Sequence, residues 1–324
     1  MEGLYPLKFK PIFKDKIWGG DRIRSVMGLD FSPLPNCGEA WMLSGVAGNP
    51  SVVSNGFLAG NELNELLEVY MYDLVGDEVY EKFGNEFPVL IKLIDANDWL
   101  SIQVHPDDEL AAKRNIGRGK TEMWYIMDAE PGSELIIGFN RDVSREACQE
   151  ALASGKLLEL LHYEPVRKGD AFFINSGKIH AIGGGILLAE IQQSSDVTYR
   201  VYDFDRKDAE GNPRELHTDL ALDAMDYARR DDFRIAYPSE KNTAAPLVDS
   251  AYFKTSCLHL DSPLMCEFKS QGSFRVYVCV DGSATLELGS YSVPIEKGET
   301  ALLPAAAPEL RIQTWGCRLL EVTL

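Results

Sequence analysis

The segment WLSIQVHPDDEL (residues 99–110) places Gln103 and His105 two residues apart, with Pro106 directly after them. In a strand, residues i and i+2 face the same side. The amide and the imidazole therefore project together onto a face where an apolar side chain is the usual occupant. Glu122 opens a second strand-like run, TEMWYIMDA (121–129). Its alternating neighbours Trp124 and Ile126 are apolar, so the carboxylate shares a core-like face. A buried unpaired carboxylate is costly, and a cation would relieve that cost. His180 lies in NSGKIHAIGGG (175–185), where glycines let the backbone bend and turn a side chain into a cavity. Two imidazoles, a carboxylate and a neutral amide oxygen form a plausible set for Zn²⁺ or another divalent ion, with open positions left for water or substrate. The same residues also fit a bland alternative, a hydrogen-bonded group of buried polar side chains. His162, His217 and His259 complete the five histidines. Each reads as structural: His162 at a helix end, His217 near a helix start, and His259 alternating with Cys257 in a strand.

Several elements must hold these residues in place. Residues 61–83 carry a helical period, 87–96 and 99–105 read as strands, and PDDELAAKRN reads as a helix with Pro106 in its first turn and acidic residues behind it. Strands are predicted over 121–129 and 134–140 around a Pro-Gly turn, and helices over 144–162 and 217–230. From Phe253 onward, short strands and tight turns dominate. One internal echo stands out. KGDAFFINSGKIH (168–180) and KGETALLPAAAPEL (297–310) share a Lys-Gly-acid start, an apolar strand and a turn residue six positions after the glycine, but the second copy has no histidine. The pair suggests two related β modules. A polar, Pro-containing stretch at 232–248 then divides the chain into 1–235, a catalytic domain with helical insertions, and 236–324, a degenerate β domain.

The 324 residues are 45% hydrophobic, enough for one large or two ordinary cores. A net charge of −18 argues against nucleic acid or anionic membrane as partners, and no run reaches the roughly 18–20 apolar residues that span a bilayer. The N-terminal residues carry no signal-peptide core. A cytoplasmic protein with six reduced cysteines, a monomer or weak homodimer, is the expectation. An anionic small molecule would need a local basic pocket against this acidic background.

Gly169-x5-Asn175-x-Gly177-x2-His180 resembles the second cupin motif, with Asn where Pro is usual. Gln103-Val104-His105 followed by Glu122 resembles the first, with Gln replacing its first His and a helix inserted before the Glu. The fold implied is mainly β: cupin-type double-stranded β-helix (jelly roll) modules with a few inserted α-helices. LIDANDWLSIQVHPDDELA, GKTEMWYIM and HAIGGGILLAEIQQSSDVTYRVYDFDR, with IWGGDRI and GEAWMLSG nearer the N-terminus, together resemble the type I phosphomannose isomerases in their short bacterial form. The likeness covers most of the chain. It implies one Zn²⁺ held by Gln103, His105, Glu122 and His180, with Arg200 as the catalytic arginine, Lys120 as the active-site lysine and Glu190 as an acid lining the pocket. The implied reaction interconverts mannose 6-phosphate and fructose 6-phosphate by proton transfer between C1 and C2 through an enediol.

Both Glu190 and Lys120 are candidates for the proton carrier, and Arg200 for enediolate stabilisation or phosphate binding. Lys120, Lys178 and Arg200 are the expected basic pocket. RVYDFDR departs from the longer eukaryote-type form, which continues Arg-Ala-Gly and ends in Thr-Pro-Lys, so the resemblance assigns no phosphate contact to that Lys here. Blander roles are an Arg200 ion pair with Asp196, Asp203 or Asp205, a solvated Lys120, and a structural buried Glu190. Rival functions are a non-enzymatic sugar-phosphate-binding cupin and a cupin metalloenzyme of another class, such as a dioxygenase.

Overall fold

The computed structural model describes residues 3–207, 211–268 and 272–324. Three antiparallel sheets carry the architecture. The central one has seven strands in the order Arg234–Ile235, Ala171–Ile174, Glu122–Ala129, Ile186–Gln193, Val89–Ala96, Glu39–Leu43 and Ile12–Lys14. A five-stranded sheet runs Tyr199–Tyr202, Ile102–Val104, His180–Ile182, Glu134–Phe139, Leu161–Pro165. A ten-stranded sheet holds the C-terminal strands.

The central strands are buried on both faces, which explains their near-continuous apolar sequences. Met123, Tyr125 and Met127 join a core shared with Val276, Val278 and Leu320 of the ten-stranded sheet. Trp124 and Ile126 point the other way, into a core shared with Leu135, Ile137 and Ile182 of the five-stranded sheet. The back of the five-stranded sheet is covered by the helices Arg145–Ala153 and Thr218–Ala224 through Cys148, Ala151, Ala221 and Leu222. The space between the central and five-stranded sheets holds the polar residues singled out above.

Local sequence explains most element ends, including those that differ from expectation. The 61–83 pattern forms two helices, Leu63–Val75 and Asp77–Phe83, parted at Gly76 (φ +92°). Pro106 lies before its helix: the Asp107 side chain caps Asp108–Arg114 by accepting from Leu110 N–H at 2.8 Å. The helix expected over 144–162 stops at Ala153 because Gly155 turns left-handed (φ +71°). A 3-10 turn, Leu157–Leu160, follows, and His162 sits in a strand rather than at a helix end, bonded to Glu164 at 2.9 Å. The last helix ends at Ala224, where Asp226 N–H turns to Gly177 O. His217 does precede that helix, and His259 lies in the strand Lys254–Leu260.

The 235/236 division is crossed by pairing. The strand Leu7–Lys10 lies in the C-terminal sheet, with Leu7 opposite Leu302. All six cysteines are free thiols.

Candidate active site

Two strand ladders build the site. In the five-stranded sheet, Gln103 lies directly between His180 and Arg200 as their cross-strand partner. In the central sheet, Glu190 lies between Trp124 and Lys92. Directly opposed residues have their Cβ atoms about 5 Å apart, so each ladder places a row of polar groups on the facing surfaces.

His105, Glu122 and His180 are wholly buried and gather at one point, their donor atoms all within 4.8 Å of one another. Glu122 Oε1 is 3.3 Å from His180 Nε2, and Oε2 is 3.6 Å from His105 Nε2 and 3.5 Å from Lys120 Nζ. Each imidazole is fixed from behind. His105 Nδ1 meets Val197 O at 2.9 Å and His180 Nδ1 meets Lys178 O at 2.7 Å. Those carbonyls only accept, so Nδ1 carries the proton and both Nε2 lone pairs face the cluster. The Gln103 amide stands 3.3 Å from His180 Nε2, and a half-turn of the amide puts its oxygen at the same place.

Burial dominates the protonation of this group. It drives His105 well below the ordinary histidine range, with Lys120 adding to the effect, and it lowers His180 to about 4. Without a metal ion, burial and then Glu190 push Glu122 up to about 8, with Lys120 and Lys92 opposing them. Neither Glu122 oxygen nor His105 Nε2 has a hydrogen-bond partner of acceptable geometry. Buried polar atoms are rarely left so. A divalent cation among two neutral imidazoles and a carboxylate would satisfy all of them, so the donor set fits a metal.

A cavity of about 290 Å³ opens next to this cluster. Lys16, Lys92, Lys120, Arg200 and Arg214 line it, against Glu39, Glu190 and Asp196. Five cations against three carboxylates give a surplus of two positive charges, inside a chain of net charge −18. Glu190 accepts from Trp124 Nε1 at 2.9 Å and sits 3.2 Å from Lys92 Nζ. Burial alone would raise its pKa, but Lys92 and then Lys120 outweigh burial and hold it below the usual range. Glu39 is likewise held down, to about 2, because Lys92 and Lys16 outweigh its burial.

Arg200 lines the cavity and its Nη1 donates to Glu215 O at 2.7 Å. Its Nε is buried without a partner, and among the described residues it belongs to no ion pair with Asp196, Asp203 or Asp205. Lys178 is not part of the cavity. It reaches Asp232 at 3.3 Å over the Phe233 ring, because it precedes its strand and strand alternation does not dictate its direction. Lys92, Lys16 and Arg214 take its place. Lys92 was legible as the one cation in the apolar run FPVLIKLIDA, whereas Arg214 carried no local sign.

Residues 6–138 match the family model for "Phosphomannose isomerase type I, catalytic domain", and residues 243–323 match "Mannose-6-phosphate isomerase, cupin domain". A mannose-6-phosphate isomerase of Bacillus subtilis is 37% identical over 314 residues, covering 95% of this chain and 96% of that protein. One from Streptococcus mutans is 36% identical over 304 residues, covering 92% of each. The crystal structure of the mannose 6-phosphate isomerase from Bacillus subtilis superposes with a TM-score of 0.88 at 35% identity, covering 99% of this chain and all of that one. Phosphomannose isomerase variants from Salmonella typhimurium share the fold, with a TM-score of 0.79 at 17% identity for one of them.

Proposed function

The chain belongs to the type I phosphomannose isomerase family, and from that premise we propose that it interconverts mannose 6-phosphate and fructose 6-phosphate with one Zn²⁺ bound by His105, Glu122, His180 and Gln103. Its fold is mainly β and of cupin type. The observation that carries the reading is the buried His105–Glu122–His180 cluster, with its orphaned atoms, opening on a positively charged cavity of sugar-phosphate size. When bound, the metal supplies Lewis acidity to the sugar oxygens.

The chain's own residues supply the rest. Glu190 lines the cavity in its ionised form, held by Lys92 and Trp124, and is the group that takes a proton from the sugar carbon and returns it to the neighbouring one. Lys120 and Arg200 are fixed cations on the same cavity, and they oppose the negative charge that develops on the sugar oxygens as that proton leaves. Trp18, Ile94 and Leu100 line the remaining wall and limit the water around the reacting carbons. We further propose that residues 1–235 form the catalytic unit and that 236–324 form a companion module without a metal.

A coupled assay of mannose 6-phosphate isomerisation, with and without chelator, tests the reading. Turnover by the metal-loaded protein, lost on chelation and restored by Zn²⁺, is expected; an inactive metal-loaded protein overturns it. His180→Ala is expected to lose both bound metal, measured by atomic absorption, and turnover. Retention of both would remove His180 from the ligand set.

A further inference from the structure

The chain leaves the strand Tyr199–Tyr202 at Asp203 and lies beside it again at Arg214–His217. A bridge between Lys207 and Pro213 closes the excursion. His217 N–H donates to Arg200 O at 2.8 Å, and Arg200 N–H donates to His217 Nδ1 at 3.0 Å, which lays the returning segment along Arg200. Arg214 thereby lines the same cavity as Arg200. Asp203, 5% exposed, grips its guanidinium fork: Nε donates to one carboxylate oxygen at 2.6 Å and Nη2 to the other. Asp203 also accepts from Arg206 Nη2 at 2.6 Å. Arg206 continues to Trp99 O and Asp98 and does not line the cavity.

This arrangement leaves a charge imbalance. One carboxylate, Asp203, serves both Arg206 and Arg214, and Arg200 has no carboxylate partner among the described residues. Guanidiniums that line one cavity repel each other, and an anion bound there relieves that repulsion; a phosphate accepts well from a guanidinium. The position suits the substrate. Gln103 and Ser101 line the cavity from one strand edge, about 7 Å apart. Gln103 stands at the His180 end, while Ser101 lies toward Tyr202 and Asp203. Arg200 is level with Gln103, so the cavity runs from the metal cluster past Arg200 to the end that Asp203 and Arg214 close.

We infer that Arg214, set in place by Asp203, is the residue that selects the phosphorylated sugar: it binds the phosphate at the end of the cavity beyond Arg200, away from His105, Glu122 and His180. The inference rests on the isomerase reading above. Arg214 is a specificity residue that touches substrate, and Asp203 is a positioning residue that acts through it.

The test uses metal-loaded wild type, Arg214→Ala, Arg214→Lys and Asp203→Asn. The readouts are isomerisation kinetics, competitive inhibition by inorganic phosphate, and the rise in Tm that phosphate produces. For Arg214→Ala, KM is expected to rise about 10- to 100-fold with kcat within about threefold, as for loss of a contact made equally in ground and transition states. The inhibition constant for phosphate rises in parallel, and the phosphate-induced Tm shift shrinks. Arg214→Lys recovers part of the affinity, since it restores the charge but not the fork. Asp203→Asn raises KM less than Arg214→Ala does. A wild-type inhibition constant and KM in Arg214→Ala overturn the inference, as does loss of phosphate inhibition in Arg206→Ala but not in Arg214→Ala. A wild type that is stabilised by phosphate but does not turn over sinks the isomerase reading alone. A wild type that turns over, while Arg214→Ala binds phosphate normally, sinks the Arg214 inference alone.

Discussion

Lys92 is the residue on which the charge balance of the cavity turns. It is almost wholly buried in an apolar strand, and it faces Glu190 and Glu39 at once. Its desolvation is offset chiefly by those two carboxylates, with Asp196 and Glu122 adding, and together they hold its pKa above the ordinary lysine value. Removing one member of such a group leaves buried charge uncompensated. Lys92→Met is therefore expected to cost about 3–5 kcal/mol in urea unfolding, well above the cost of a surface lysine. Glu39 gives the matching pH dependence. Its folded pKa is depressed to about 2, so its contribution is present above the unfolded value near 4.5 and is lost as pH falls toward 2. The stability gap between wild type and Glu39→Gln should narrow by about 2 kcal/mol between pH 7 and pH 3, measured from denaturant midpoints at the two pH values. A gap that did not narrow would mean that Glu39 is not held by Lys92 and Lys16 in solution.

The echo between 168–180 and 297–310 acquires a geometric meaning at the level of elements. Gly169 N–H donates to Ile126 O at 2.8 Å and Ile126 N–H to Asp170 O at 2.9 Å; Gly298 and Cys279, with Glu299, repeat the pair at 2.8 and 2.9 Å. The two glycines have φ of +91° and +90°. Ile174 lies opposite Glu122, and Leu303 in the same place lies opposite Arg275. The aromatic–acid pair is also repeated across the ladder, as Trp124 with Glu190 and Tyr277 with Glu321. Arg275 puts a cation where the first module has a carboxylate ligand, which supports the proposal that 236–324 is a module without a metal. The two turns differ in their surroundings. A Cβ on Gly298 would lie 2.9 Å from Met27 Cβ, whereas one on Gly169 would meet nothing closer than 3.6 Å. Both Ala substitutions carry the left-handed strain of about 1–2 kcal/mol, and Gly298→Ala adds the clash. Thermal unfolding should show the larger loss for Gly298→Ala by at least about 1 kcal/mol.

Across the whole molecule, the first strand ties the two ends of the chain together. Leu7 is fully buried, opposite Leu302, within the core between the central and ten-stranded sheets. Lys168–Asp281 at 2.9 Å and Arg318–Tyr125 at 3.0 Å add polar links across the same divide. Leu7→Ala is expected to cost about 2–5 kcal/mol, the range for a truncated core leucine, in a single unfolding transition followed by circular dichroism. A loss below about 1 kcal/mol would show that the strand does not dock in solution.

Local pattern was enough to single out His105, Glu122 and His180, which the fold brings together, as well as the β class of the fold and most strands. Side-chain direction alternates along a strand, so Gln103, His105 and Glu122 declared their shared faces from spacing alone. Helix lengths were less legible, because Gly155 and the pull of Gly177 on Asp226 ended helices whose periodicity ran on. The cavity's charge pairs lay further out of reach. Glu190 and Lys92 come from separate strands, Arg214 is placed by Asp203 across a loop, and Lys178 is drawn off by Asp232. Leu7–Lys10 likewise crosses the division that composition suggested near 235. Alternation is a property of the backbone and can be read in place. Which strands become neighbours, and which cations are left to face a phosphate, depends on how the three sheets bury their faces together, and that is decided only when the whole chain packs.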